Sequence, residues 1–394
     1  MIKDPPTEPT PPGLLPEGVR DLLPPDAAAE AAVIGALVDC LAAHGYARVQ
    51  PPLVEFEAGL LGGAGAAMST HSFRLMDPVS QRMMAVRSDM TLQVARIVTT
   101  RLAREPRPLR LSYAGQVLRV RGSQLRPERQ FAQVGAELIG ASCPAADREV
   151  MRLAAEAVAG IGVRNLSLDL TMPPLVPALC RDLGLDDAIA ARARAALDRK
   201  DAAAVADVGG EAGRLLGALL DAAGPVARAV AALEKLDLPP MAAAERAFFL
   251  EVVAGLREAA PDLILTVDPV ENRGFEYHTG ASFTLFAAGV RGELGSGGRY
   301  LVTPADGAEP LPATGFTLFM DSLMRAVPAP EPAPRIFVPL DAPADEAARL
   351  RREGWVTILG LEPAADIAAE ARRMGCGHML RDGSPVAVDK EEGA

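Results

Sequence analysis

Residues 109–139 read LRLSYAGQVLRVRGSQLRPERQFAQVGAELI, and this stretch decides what kind of sheet to expect. Leu109 to Arg121 predicts a strand, as does Gln130 to Ile139, and the segment between them is polar and charged. Strand, loop and strand in that order predict an antiparallel hairpin with a long, charge-bearing tip.

Upstream, PDAAAEAAVIGALVDCLAAHG at 25–45 predicts an amphipathic helix. Asp26 and Glu30 sit in its early turns, favourable at the positive end of the helix dipole, and Gly45 closes it. Tyr46 to Glu55 is extended and broken by Pro51 and Pro52. Arg82 to Val86 predicts another strand.

Downstream, Ala and Leu dominate from about 173 to 261 while β-branched residues thin out, which predicts a helical insertion. Strand character returns at Leu263 to Val267 and at Phe275 to Phe286. A glycine loop is expected at Gly295 to Gly298, then a strand and a helix from Ala313 to Ala326. VPAPEPAP at 327–334 reads as a stiff linker. Beyond it, 335–394 alternates strand and helix, the pattern of a small α/β domain with a largely parallel sheet. No solenoid repeat is visible.

At 394 residues the chain can hold two or three domains and a well-buried core. Its 49% apolar and 23% charged residues are ordinary for a soluble globular protein. No run of about 18 uncharged apolar residues occurs, so no membrane span is expected. The Pro-rich start at 1–13 lacks the basic and apolar regions of a secretory signal and reads as a disordered tail. Four scattered cysteines without a C-x-x-C pair argue against zinc and against a disulfide framework, and fit a reducing cytoplasm. The four histidines form no metal-ligand spacing either. A net charge of −11 supplies no global basic footprint for nucleic acid.

Five further segments share one order. PEGVRDLLP at 16–24 opens the chain, and Gly45-Tyr46 precedes Pro51-Pro52-Leu53-Val54-Glu55. Leu118-Arg119 runs to Arg129-Gln130-Phe131, RGFEYHTG fills 273–280, and GSGGRY at 295–300 leads to TGFTLFMDSL at 314–323. In that order they resemble class II aminoacyl-tRNA synthetases of the histidyl kind, over about the first 325 residues. The second segment resembles motif 1, whose strand and helix build a dimer interface. The third resembles motif 2, the fourth a signature of the histidyl enzymes, and the last pair motif 3. The fold implied is α+β, a class II synthetase-like antiparallel sheet core (14–326) carrying the helical insertion and followed by the small α/β domain.

The resemblance also implies a histidine pocket. Asp89 and Gln133 would hold the ligand amine, Arg119 and Arg273 its carboxylate. Glu137, Tyr277, His278 and Tyr300 would line the imidazole. Such groups suit a zwitterion with a ring that both donates and accepts. A site so built rejects analogues lacking the matching groups by factors on the order of 10⁴. Read singly, Asp89 and Glu137 fit surface acids, Arg273 a strand cap or a partner for Glu276, and the tyrosines core aromatics. Their common order is what points to a pocket. His278 departs from the pattern, which commonly has a tyrosine there, and a histidine differs in reach and titrates near neutrality.

The ATP side departs further. Synthetases open the motif 3 helix with Glu-Arg-Leu, where this chain has Asp321-Ser322-Leu323. Serine cannot replace a guanidinium fork on phosphate. Arg121 reverses the charge of a motif 2 glutamate, and Gly122 and Pro127 stand where basic residues would handle phosphate. The segment from Pro334 to Ala394 holds eight Lys/Arg against eleven Asp/Glu, a net of 8 − 11 = −3, which suits protein contact better than phosphate.

A kept histidine side beside a lost ATP side resembles the regulatory subunits of short-form ATP phosphoribosyltransferase. That family implies a non-catalytic homodimeric core docked on a separate short-form ATP phosphoribosyltransferase catalytic subunit. L-Histidine is then the feedback ligand, with no cofactor, no metal and no tRNA. Two other classes stay open at this point: a functional histidyl-tRNA synthetase, and a free-standing histidine sensor with some other protein partner.

Overall fold

The computed structural model describes residues 13–60, 72–122, 126–271, 278–304, 307–329 and 332–388. The expected tail at 1–13 therefore lies outside the described residues, apart from Gly13. Two compact units divide between Pro328 and Ala329.

The first unit begins with α1 (Asp26–Ala43), β1 (Ala47–Arg48), β2 (Val54–Phe56), α2 (Glu57–Leu60), β3 (Arg74–Met76) and β4 (Met83–Val86). It continues through α3 (Thr91–Thr100), β5 (Leu109–Leu118), β6 (Gln130–Ile139), α4 (Pro144–Gly160) and β7 (Leu166–Thr171). A helical stretch follows: α5 (Leu175–Asp182), α6 (Asp187–Asp198), α7 (Ala202–Ala206) and α8 (Gly210–Asp221). The short β8 (Gly224–Pro225) separates these from α9 (Val226–Glu234) and α10 (Pro240–Ala259). Then come β9 (Ile264–Asp268), β10 (Ser282–Ala287), β11 (Gly295–Val302), β12 (Leu311–Phe319) and α11 (Met320–Ala326).

A nine-stranded sheet in the order β1-β5-β6-β12-β11-β10-β7-β9-β8 carries this unit. The hairpin lies near one edge, just inside the short β1, with β5 and β6 pairing antiparallel from Leu109↔Ile139 to Leu118↔Gln130. Antiparallel pairing continues from β6 through β12, β11 and β10 to β7. Alternation along β6 sends Ala132, Val134, Ala136 and Leu138 into the larger core, together with Val33, Leu37 and Leu41 of α1 and Val150 of α4. The other face carries Gln133, Gly135 and Glu137, under Met90 and the Val94 and Val98 side of α3. Gly45, at φ +81°, turns the chain out of α1 as a glycine C-cap should.

Two expectations change. Gly295–Gly298 is no loop but the first half of β11, because glycines there admit side chains that a Cβ would meet. A Cβ on Gly298 would stand 2.5 Å from Ser282 Oγ and 2.7 Å from His278 Cδ2. The strand expected from Phe275 is regular only from Ser282. Before that, Gly280 crosses the Arg299 side chain, where a Cβ would lie 2.6 Å from Cδ. Residues 275–277 lie outside the described residues.

A separate three-stranded sheet, β2-β4-β3, leaves Phe56, Leu75, Met76 and Met83 exposed, next to exposed Leu53. No helix among the described residues is long and apolar enough to cross a membrane. The second unit holds β13 (Arg335–Val338), α12 (Ala344–Arg352), β14 (Val356–Leu359), α13 (Ile367–Arg373), β15 (His378–Arg381) and β16 (Ser384–Ala387). Its sheet, β14-β13-β15-β16, is parallel at β13/β14 and β13/β15 and antiparallel at β15/β16.

Candidate functional site

Glu137 is the centre of a buried polar cluster on the α3 face of the sheet. It is 1% exposed, and burial pushes its carboxyl up to about 8 against the hydroxyls of Tyr300, Thr91 and Tyr113 that bond it. Asp89 adds a smaller upward push. Thr91 Oγ1 donates to Glu137 Oε1 at 3.1 Å and Tyr113 OH to the same oxygen at 3.2 Å. Tyr300 OH donates to Oε2 at 2.8 Å.

The backbone opposite this carboxylate is glycine. Strand register places Gly315 across from Glu137, Gly298 across from Gly315, and Ser282 across from Gly298. A Cβ on Gly315 would collide with Glu137 Oε2 and lie 2.7 Å from the Ala136 carbonyl oxygen. A Cβ on Gly135 would strike the Tyr113 ring at Cζ and OH. Glycine inside a strand often marks such a close approach. Here it makes room for the polar groups of the pocket.

Beside Glu137, the start of α3 is tied to β6. Gln133 Nε2 donates to Asp89 Oδ2 at 2.9 Å, and its Oε1 accepts from the Met90 N–H at 3.1 Å. The Thr91 N–H donates to Asp89 Oδ1 at 2.9 Å. Asp89 and Gln133 thus act as one unit whose remaining lone pairs are acceptors, the chemistry an amine needs. His278 is 8% exposed and borders Gly298.

Arg119 leaves β5 at the edge of this region. Its Nε donates to the Ser88 carbonyl at 3.4 Å and its guanidinium lies 5.0 Å from the Phe131 ring centre. Burial, followed by the like charge of Arg126, pulls its pKa below the usual arginine value. The structure so brings together Asp89, Gln133, Glu137 and Tyr300, with His278 on the same glycine row and Arg119 at the margin. Arg273 and Tyr277 lie outside the described residues.

Sequence reasoning missed Thr91, Tyr113 and Thr317, whose Oγ1 stands 2.7 Å from Tyr113 OH. The sequence shows only that Gly135 and Gly315 interrupt strands otherwise fit for burial, not which side chains fill the space they leave.

The motif 3-like helix α11 adjoins a differently charged region. Ser322 is fully buried, and its Oγ accepts from Arg325 Nη2 at 3.0 Å. Asp321 is 6% exposed, and burial raises its pKa against the nearby Arg126. Arg126 lies 3.7 Å over the Phe319 ring and pairs with Glu293 at 2.9 Å.

Residues 18–323 match the family model described as histidyl-tRNA synthetase. A protein of Rhodospirillum centenum, an ATP phosphoribosyltransferase regulatory subunit, is 59% identical over 370 residues, covering 94% of this chain and 95% of that protein. One of the same description from Paramagnetospirillum magneticum is 57% identical over 376 residues, covering 95% and 98%. A Bacillus halodurans structure described as an ATP phosphoribosyltransferase regulatory subunit/histidyl-tRNA synthetase superposes with a TM-score of 0.79 at 24% identity, covering 93% of this chain and 97% of that one. Histidyl-tRNA synthetase from Nostoc sp. PCC 7120 superposes with a TM-score of 0.75 at 17% identity, covering 93% and 90%. The synthetase-like sheet and near full-length identity to regulatory subunits together assign the family: the chain belongs to the ATP phosphoribosyltransferase regulatory subunits.

Proposed function

We propose that this chain binds L-histidine in the Glu137 pocket without activating it, and relays its occupancy to a separate ATP phosphoribosyltransferase catalytic subunit. The observation that carries this reading is the contrast between two neighbouring regions. One is a buried polar cluster whose acceptors suit an amine and a ring N–H. The other has its cations already paired inside the protein.

Adenylate formation needs positive charge free to meet phosphate. Arg126 is committed to Glu293 and Phe319, and Arg325 to Ser322 and the Asp321 carbonyl. The buried Asp321 carboxyl adds an acid beside these cations. Arg121 and Ser322 extend the same argument, since neither restores the missing fork. End-product feedback then requires only that histidine bind two states of the complex unequally. The name shared by the relatives supports the catalytic subunit as partner. The exposed apolar side chains of β2, β3 and β4, continuous with the motif 1-like segment, support a homodimer, because a monomer would leave them in water. No tRNA or cofactor enters this account, and the reducing cytoplasm suits it.

Pyrophosphate exchange with L-histidine and ATP tests the reading. Histidine binding without exchange is the expected result. Robust exchange would make the chain a working synthetase and overturn the proposal.

A further inference from the structure

We infer that Tyr113 is a positioning residue of this pocket: it fixes Oε1 of Glu137 so that Oε2 alone is left to meet a ligand N–H. The inference rests on the histidine reading above and sharpens it to a single oxygen atom.

A carboxylate offers about four acceptor sites, two on each oxygen. Thr91 and Tyr113 both donate to Oε1 and so fill it. Among the described residues only Tyr300 donates to Oε2, which lies against Gly315 and keeps one lone pair in that set. The two oxygens are chemically alike, and the protein makes them different by placing two hydroxyls on one and one on the other.

Tyr113 is suited to this task. It is 0% exposed, and burial, with Glu137 next in effect, raises its pKa well above the usual phenol value, so it stays an O–H donor. Its hydroxyl has one proton and several neighbours: Thr317 Oγ1 at 2.7 Å, Thr91 Oγ1 at 3.2 Å, Glu137 Oε1 at 3.2 Å and the Phe316 carbonyl at 3.4 Å. When Thr317 donates to the phenol oxygen, the Tyr113 proton is left for the carboxylate. Gly135 accommodates the ring that holds this hydroxyl in place.

The other titratable groups around Glu137 come from separate elements. Tyr300 approaches from β11, Asp89 from the turn before α3, and Tyr46 from the turn before β1. His278 borders the glycine row next to it. Of these, Tyr113 and Tyr300 alone donate to the Glu137 carboxylate.

The test compares wild type, Tyr113→Phe and Thr317→Val by calorimetric titration with L-histidine between pH 6 and 9, alongside thermal melts. Wild-type binding checks the pocket reading itself, and the differences between variants check the inference. Affinity should rise as Glu137 ionises and becomes an acceptor. Tyr113→Phe removes one donor to that anion, so affinity should fall roughly ten- to a hundredfold and the rise should move to higher pH. Thr317→Val should shift both in the same direction by less. If Tyr113→Phe binds histidine like the wild type, or weakens binding only through loss of folded protein with the pH profile unmoved, the inference fails while the pocket reading stands. If the wild type binds no histidine, both fail.

Discussion

Gly315→Ala should reduce L-histidine binding by at least about a hundredfold while leaving most of the fold intact. The added methyl would overlap Glu137 Oε2 and press on the Ala136 carbonyl at 2.7 Å. The backbone there belongs to the β6/β12 ladder and cannot give way cheaply, so the Glu137 side chain must move. Moving it breaks the 2.8 Å bond from Tyr300 and takes away the oxygen proposed to meet the ligand. Overpacking of this kind costs about 1–3 kcal/mol of stability, which a protein of ordinary stability survives. Histidine titration of a variant with normal circular dichroism checks it. Wild-type affinity in that variant would mean that Glu137 Oε2 does not meet the ligand.

The largest loss of stability is expected at Asp147→Ala. Asp147 of α4 is 0% exposed and pairs with Arg299 of β11, Oδ2 accepting from Nε at 3.0 Å and Nη2 at 2.7 Å. Arg299 also donates to the Ala141 and Cys143 carbonyls at 3.1 and 3.0 Å, which pins the chain entering α4 to the sheet. Removing one partner of a buried pair leaves the other charge uncompensated, typically at about 3–5 kcal/mol. Urea denaturation should show a midpoint lowered accordingly, with Asp147→Asn falling between the two because it keeps a hydrogen-bond acceptor. Because Arg299 directly precedes Tyr300, histidine affinity should fall as well. A midpoint within error of wild type would show that the pair is dispensable.

The hairpin, α1 and the overall order of elements were legible because each depends on local pattern. β5 and β6 are dense in apolar residues around a charged loop, and α1 places Val33, Leu37 and Leu41 at helical spacing. Gly295–Gly298 misled for a physical reason: glycine runs signal turns by backbone freedom, but here they serve close packing inside a strand. The resemblance named Asp89, Gln133, Glu137 and Tyr300, and the fold brings these four side chains together. It did not name Tyr113 and Thr317, because their role exists only through cross-strand register, with Gly135 opposite both. A single sequence shows that a glycine stands in a strand, but not which side chain fills the space it leaves.

The central claim is that occupancy of the Glu137 pocket by histidine sets the activity of the catalytic partner. Its most direct test is a histidine titration of phosphoribosyl transfer by complexes assembled with wild-type or Glu137→Ala chain. Losing the carboxylate should leave the imidazole edge unpaired at about 1–3 kcal/mol, which is roughly ten- to a hundredfold in affinity. By linkage, the inhibitory histidine concentration should rise in the same direction, with assembly and uninhibited turnover nearly unchanged because Glu137 is buried in the pocket. Coincident inhibition curves from two complexes that assemble equally well would contradict the account.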